Sequence, residues 1–175
     1  MFRVLRVTFS VLLGSFSGCG LYDTPPDQSQ FAPLQTLRFS QSAMARVYAA
    51  PIPGLEWIAV HTWLVVKAPD SIMFDRWEVW QTSGGPYGHV RHNLQGPESG
   101  VGAGGVVVLA ELIGEESESI VEFVSNASPE YPCRDVYVIP GPNSNSFTGW
   151  VLDRTGWEVR LPASAVGQHI RPNCP

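Results

Sequence analysis

Two places in this sequence hold residue types that could do chemistry together. His61 lies in the run Val60-His61-Thr62-Trp63-Leu64-Val65-Val66-Lys67. Ser144 lies in Pro140-Gly141-Pro142-Asn143-Ser144-Asn145-Ser146-Phe147, a proline-bracketed turn that runs into Trp150 and Val151. A turn of this kind feeds a helix, and a helix start offers unpaired N–H groups and a positive dipole end. An imidazole brought to Ser144 could take its proton, making the hydroxyl a nucleophile for an amide or ester. Glu78 is the candidate to orient that imidazole. Asn143 or Asn145 could donate to an oxyanion. The same residues also read as an ordinary helix cap with no chemistry attached.

The elements that must position these residues can be read from period and punctuation. Arg46-Val47-Tyr48 is a short strand ended by Pro51 and Pro53. Trp57 to Lys67 is β-branched and aromatic, hence a strand, and Met73 to Gln81 is the next. His61 shares a strand face with Trp63, and Glu78 shares one with Trp80. Whether those faces meet depends on a register the sequence does not state. Tyr87 to Leu94 is a further candidate strand inside a Gly/Pro-rich stretch, and Val106 to Leu112 another. Glu115 to Ala127 is a helix, because Ile120, Phe123, Val124 and Ala127 recur at i, i+3, i+4 and i+7. Arg134 to Ile139 reads as a strand, Asn143 to Asp153 as a second helix, and Leu161-Pro162-Ala163-Ser164-Ala165-Val166-Gly167 as a docked loop. Strands first and helices later imply an α+β domain with an antiparallel sheet and two main helices.

Other motifs carry less. Gly100-Val101-Gly102-Ala103-Gly104-Gly105 matches the dinucleotide-binding spacing, but no helix follows to receive a pyrophosphate. His89 and His92 lack ligand spacing, so no metal and no cofactor is expected. Glu115, Glu116, Glu118 and Glu122 suit the dipole of a helix start. The six tryptophans could stack on sugars, but mostly serve to fill a core. The chain has 175 residues and a net charge of −5, without a basic patch, so nucleic acid is an unsuitable partner.

The first residues speak of location. Arg3 and Arg6 precede a short apolar run, Val7 to Phe16, well under the ~18 residues that span a bilayer. Phe16-Ser17-Gly18-Cys19 follows, which makes residues 1–18 a signal peptide. The sequence at Cys19 resembles a bacterial lipobox, whose cysteine receives a diacyl lipid (palmitate among its chains). Residues 19–44 are then the lipidated N-terminus and a Pro/Gln/Ser-rich tether, and 45–175 a single globular domain. Gly20 after the cysteine resembles outer-membrane sorting signals, which implies the periplasmic face of the outer membrane. The membrane would be engaged through the lipid. Cys133 and Cys174 remain, either bridged across the C-terminal tail or as two reduced thiols.

Val60 to Trp63, Lys67, Pro140 to Phe147 and Leu161 to Gly167 together resemble a bacterial family of unknown function, domain-of-unknown-function family 3750, over Arg46 to Gly167. More distantly, a histidine strand followed by an Asn-Ser-Asn helix start is similar to circularly permuted papain-like proteins of the lecithin–retinol acyltransferase type. Where those have cysteine, this chain has Ser144. That resemblance implies a papain-like fold. It also implies a hydrolase or acyltransferase using Ser144, His61 and Glu78 on peptidoglycan peptide or lipid. The alternative is a non-catalytic module that uses the same cleft for a cell-wall or envelope-protein ligand.

Overall fold

Alternating side chains, buried on both faces in the central strands, build a five-stranded antiparallel sheet in the computed structural model of this protein. It describes residues 41–81, 88–171 and 173–174. The expected signal peptide, Cys19 and the expected tether up to residue 40 lie outside the described residues. The strands are β1 (Met44–Pro51), β2 (Val60–Lys67), β3 (Asp75–Gln81), β4 (Gly88–His92) and β5 (Val107–Ile113), in the order β4-β3-β2-β1-β5. Helices α1 (Glu115–Ala127) and α2 (Ser144–Thr155) complete an α+β fold. No described helix is long and apolar enough to cross a membrane.

Both helices cover one face of the sheet. Ala45, Val47, Val60, Leu64, Val66 and Val79 pack there against Ile120 and Val124 of α1 and Phe147 and Val151 of α2. The other face carries Met44, Tyr48, Trp63, Val65 and Val108, with Val101 and Val106 packed on them. This second face is covered by a strap, residues 93–106, rather than by a helix. Trp63 donates its indole N–H to the Pro97 carbonyl at 2.9 Å, and Arg76 Nη1 donates to the carbonyls of Gly96 and Ser99. Arg46 and Tyr48 meet Glu98 from below. The glycine-rich run is therefore part of this covering loop.

Strand β2 pairs with β1 along its whole length, but with β3 only at Leu64–Trp77, Val65–Arg76 and Val66–Asp75. At the other end of β2, the Val60 N–H goes to the Ser164 carbonyl and the Val60 carbonyl accepts from the Asn145 amide, both at 2.9 Å. The tail and the start of α2 thus satisfy β2 backbone where the β3 ladder has stopped.

Three expected spans are corrected. Trp57 to Ala59 is not strand, because Ile58 and Ala59 both donate to the Leu55 carbonyl in a turn and Trp57 points to solvent. Met73 and Phe74 precede β3 in a loop. Arg134 to Ile139 is not a strand: the N–H groups of Arg134, Val136 and Val138 are spent on Tyr131, Cys133 and Pro142, which leaves a single bridge at Val136. The tail docks through Leu161 and Ala165, and Cys174 is disulfide-bonded to Cys133, with Cα atoms 5.2 Å apart.

Candidate functional site

His61, Arg76 and Glu78 meet on the strap-covered face. Strand alternation gives all three that face, and the antiparallel register brings β3 alongside β2. His61 Nε2 lies 2.7 Å from Glu78 Oε2. Arg76 takes the same carboxylate at both oxygens: Nη2 donates to Oε2 at 2.8 Å, and Nε stands 2.7 Å from Oε1, an ion pair not aligned as a hydrogen bond. The Arg76 guanidinium also lies over the Trp63 ring, 4.2 Å from its centroid. All three residues are buried. Burial by itself would raise the Glu78 pKa, but the hydrogen bonds and charges of His61 and Arg76 outweigh it and hold that carboxyl below its ordinary value.

His61 opens onto a cleft of about 230 Å³ lined by Ile52, Pro53, Trp80, Gln81, Val101 and Tyr137. Trp80 meets the imidazole edge-on, with centroids 5.2 Å apart. Tyr137 closes another side. Burial raises its pKa, the neighbouring Ser144 hydroxyl acts to lower it, and the charge of Glu78 adds to the rise. Tyr137 thus stands near both halves of the expected site. The loop that supplies Ile52 and Pro53 also exposes Trp57 and Ile58.

The start of α2 is built on the opposite, helix-covered side. Asn143 is the N-cap: its Oδ1 accepts from the backbone N–H groups of Asn145 and Ser146, and Ser146 Oγ accepts from the Asn143 N–H, a complete capping box. The Asn143 amide donates to the carbonyls of Val138, Pro140 and Val166. The Asn145 amide donates to Val60 and Val166, and its carbonyl accepts from Thr62 Oγ1 at 2.9 Å. Both asparagines therefore spend their side chains inside the fold. Ser144 is 1 % exposed and its Oγ forms no aligned hydrogen bond, Tyr137 being its polar neighbour.

The structure thus joins His61 to Glu78 and gathers Asn143, Ser144 and Asn145 at the helix start. No hydrogen bond links the two groups among the described residues. Thr62, which points to α2, and His61, which points to the cleft, are neighbours of opposite face on β2. Sequence reasoning missed Arg76 and Tyr137. The signal for Arg76 was its place between Phe74 and Glu78 on a face otherwise aromatic and charged. Tyr137 carried none, because its segment is irregular. His92 pairs with Asp75 at 2.6 Å, and His89 lies 3.9 Å from Asp135. Among the described residues, no group of three or more His, Cys, Asp or Glu could hold a metal ion.

No curated protein and no solved structure matches this chain. One family profile does match, over residues 42–170, the span that holds the sheet, both helices and the cleft. The chain belongs to the family described as "Protein of unknown function (DUF3750)".

Proposed function

We propose that this protein is a lipid-anchored protein of the bacterial envelope whose folded body binds a ligand in the His61 cleft without turning it over. The observation that supports this is the spending of groups. Glu78 is neutralised by Arg76 and aimed at His61, which leaves the imidazole as a positioned polar contact on the floor of an aromatic and apolar cleft. Such a floor and walls suit a neutral ligand with one apolar face, as a cell-wall sugar or peptide has. Ser144 is buried beside Tyr137, and the two asparagine amides have no donor left for an oxyanion. The test is titration of the purified protein with soluble peptidoglycan fragments. His61→Ala and Trp80→Ala should each weaken binding by about tenfold, while Arg154→Ala should not. Absence of saturable binding would sink the proposal for this ligand class.

Catalysis at Ser144, in a papain-like arrangement acting on an envelope amide or ester, is the second possibility. It rests on the buried Ser144 hydroxyl, which has no aligned hydrogen bond, at the start of a well-capped helix. It requires the Ser144 hydroxyl, packed on the helix-covered side, to be brought to His61, which faces the cleft. Labelling with a fluorophosphonate tests it: covalent modification of Ser144 would favour catalysis over simple binding.

A further inference from the structure

The end of the sheet opposite the cleft exposes large apolar side chains on a braced scaffold. Ile72 and Met73, in the loop between β2 and β3, are 72 % and 64 % exposed. Leu94, just past β4, is 47 % exposed, and Ile113, at the end of β5, is 53 % exposed. The register puts them at one end: Ile113 pairs with Met44, Met44 with Lys67, and Asn93 bonds to Arg76 and Asp75.

The loop that carries Ile72 and Met73 is held in shape. Lys67 is fully buried, and its ammonium donates to the carbonyls of Ala68 and Ser71 at 3.0 and 3.2 Å. Ser71 Oγ accepts from the Met73 N–H and donates to the Met73 carbonyl. The Asp70 N–H donates to the Gln41 carbonyl, which ties the loop to the incoming chain. A buried cation committed to loop carbonyls is a costly way to hold two apolar side chains in water. Ile72 and Met73 are thus an adjacent exposed apolar pair on a braced loop, with Leu94 and Ile113 at the two edges of the same end of the sheet.

We infer that this end of the folded body docks on a zwitterionic phospholipid surface, with Ile72 and Met73 entering the interface. The proposal rests on the lipid-anchor reading, because the chain that would carry the anchor enters the sheet here, at Gln41 and Met44. Asp70 lies two residues before Ile72, and the exposed Glu115 and Glu116 follow Ile113 at the β5 edge, so this end is matched to an uncharged lipid face and would be repelled by an anionic one. Docked this way, the body holds His61 about 20 Å from the loop end of β2, at ~3.3 Å per strand residue, with the cleft turned away from the membrane.

The experiment uses the full chain, purified from membranes and reconstituted into phosphatidylethanolamine–phosphatidylcholine vesicles. An environment-sensitive fluorophore is attached at Ile72→Cys and, in a second sample, at Trp57→Cys. The mass of the N-terminal peptide reports acylation at Cys19 independently. Expected is a blue shift and quenching by lipid-borne nitroxide at position 72, with position 57 remaining aqueous. Replacing phosphatidylcholine with phosphatidylglycerol should weaken the signal at 72. A Met73→Ser substitution should lower the docked-to-undocked ratio by about tenfold. Met73 is exposed, so this variant should keep the fold, which its thermal melt would show. A probe at 72 that stays aqueous, or that shifts with protein concentration in the absence of vesicles, overturns the proposal. An acylated chain with an aqueous probe refutes docking while leaving the anchor intact.

Discussion

His61 Nε2 and Glu78 Oε2 stand 2.7 Å apart, and Glu78, which also pairs with Arg76, is the only acid of the three. Glu78→Gln therefore leaves the buried Arg76 without its countercharge, and we expect a loss of about 3–5 kcal/mol in urea unfolding at neutral pH. The sign with pH follows from the lowered pKa of Glu78 in the fold. Its stabilisation is fully present above the unfolded value of about 4.3 and is lost as pH falls through the lower folded value. The wild type should lose stability steeply across that acid window. The variant's curve should be flatter there, and two parallel curves would show that Glu78 is not the linked group.

Asn143 and Ser144 should behave in opposite ways. Asn143→Ala removes the cap and the amide that holds Val138, Pro140 and Val166, and should cost at least 1–2 kcal/mol. Ser144→Ala removes a buried hydroxyl with no aligned partner, so stability should change by less than about 0.5 kcal/mol or improve. Chemical unfolding of both variants decides the matter. A large loss at Ser144→Ala would mean that its hydroxyl does bond Tyr137.

Gly149 faces the docked tail at a separation no side chain can share. A Cβ there would stand 2.3 Å from the Gln168 carbonyl oxygen. Gly149→Ala must push the tail off α2 and should lower stability by about 1–3 kcal/mol, read as a drop in Tm. Because Val166 also accepts from Asn143 and Asn145, the variant should expose the α2 amides to faster hydrogen exchange as well.

The disulfide between Cys133 and Cys174 spans a sequence separation of 41 and encloses α2. A loop of that length gives about 4 kcal/mol in the chain-entropy account. Unfolding with and without reductant should differ by roughly that amount, and peptide mapping of unreduced protein should recover the linked pair. Quantitative alkylation of both thiols before reduction would contradict the bridge.

Much of this fold was legible because its signals are local. The recurrence of Ile120, Phe123, Val124 and Ala127 marks α1, and the alternation through Arg76, Glu78 and Trp80 sets the face that meets His61. What stayed hidden was non-local. Thr62 and His61 look alike as polar interruptions of an apolar strand, yet one anchors α2 and the other floors the cleft. Only the packing of α2 on a particular face separates Ser144 from the imidazole. The Arg134 to Ile139 segment has strand composition, but its turns use the donors a ladder would need.

That failed strand alters how the molecule can associate. The Gly88 N–H donates to the Asp135 carbonyl, and the Val136 carbonyl oxygen lies only 2.6 Å from where a Gly88 Cβ would stand. An incoming strand would have to displace this segment before it could extend the sheet beyond β4. At the other edge, β5 has no outer backbone partner among the described residues. Sheet extension is thus open on one side and obstructed on the other. Two molecules joined through β5 would use up both available edges, so pairing by this route closes on itself around a two-fold axis instead of growing into a fibre.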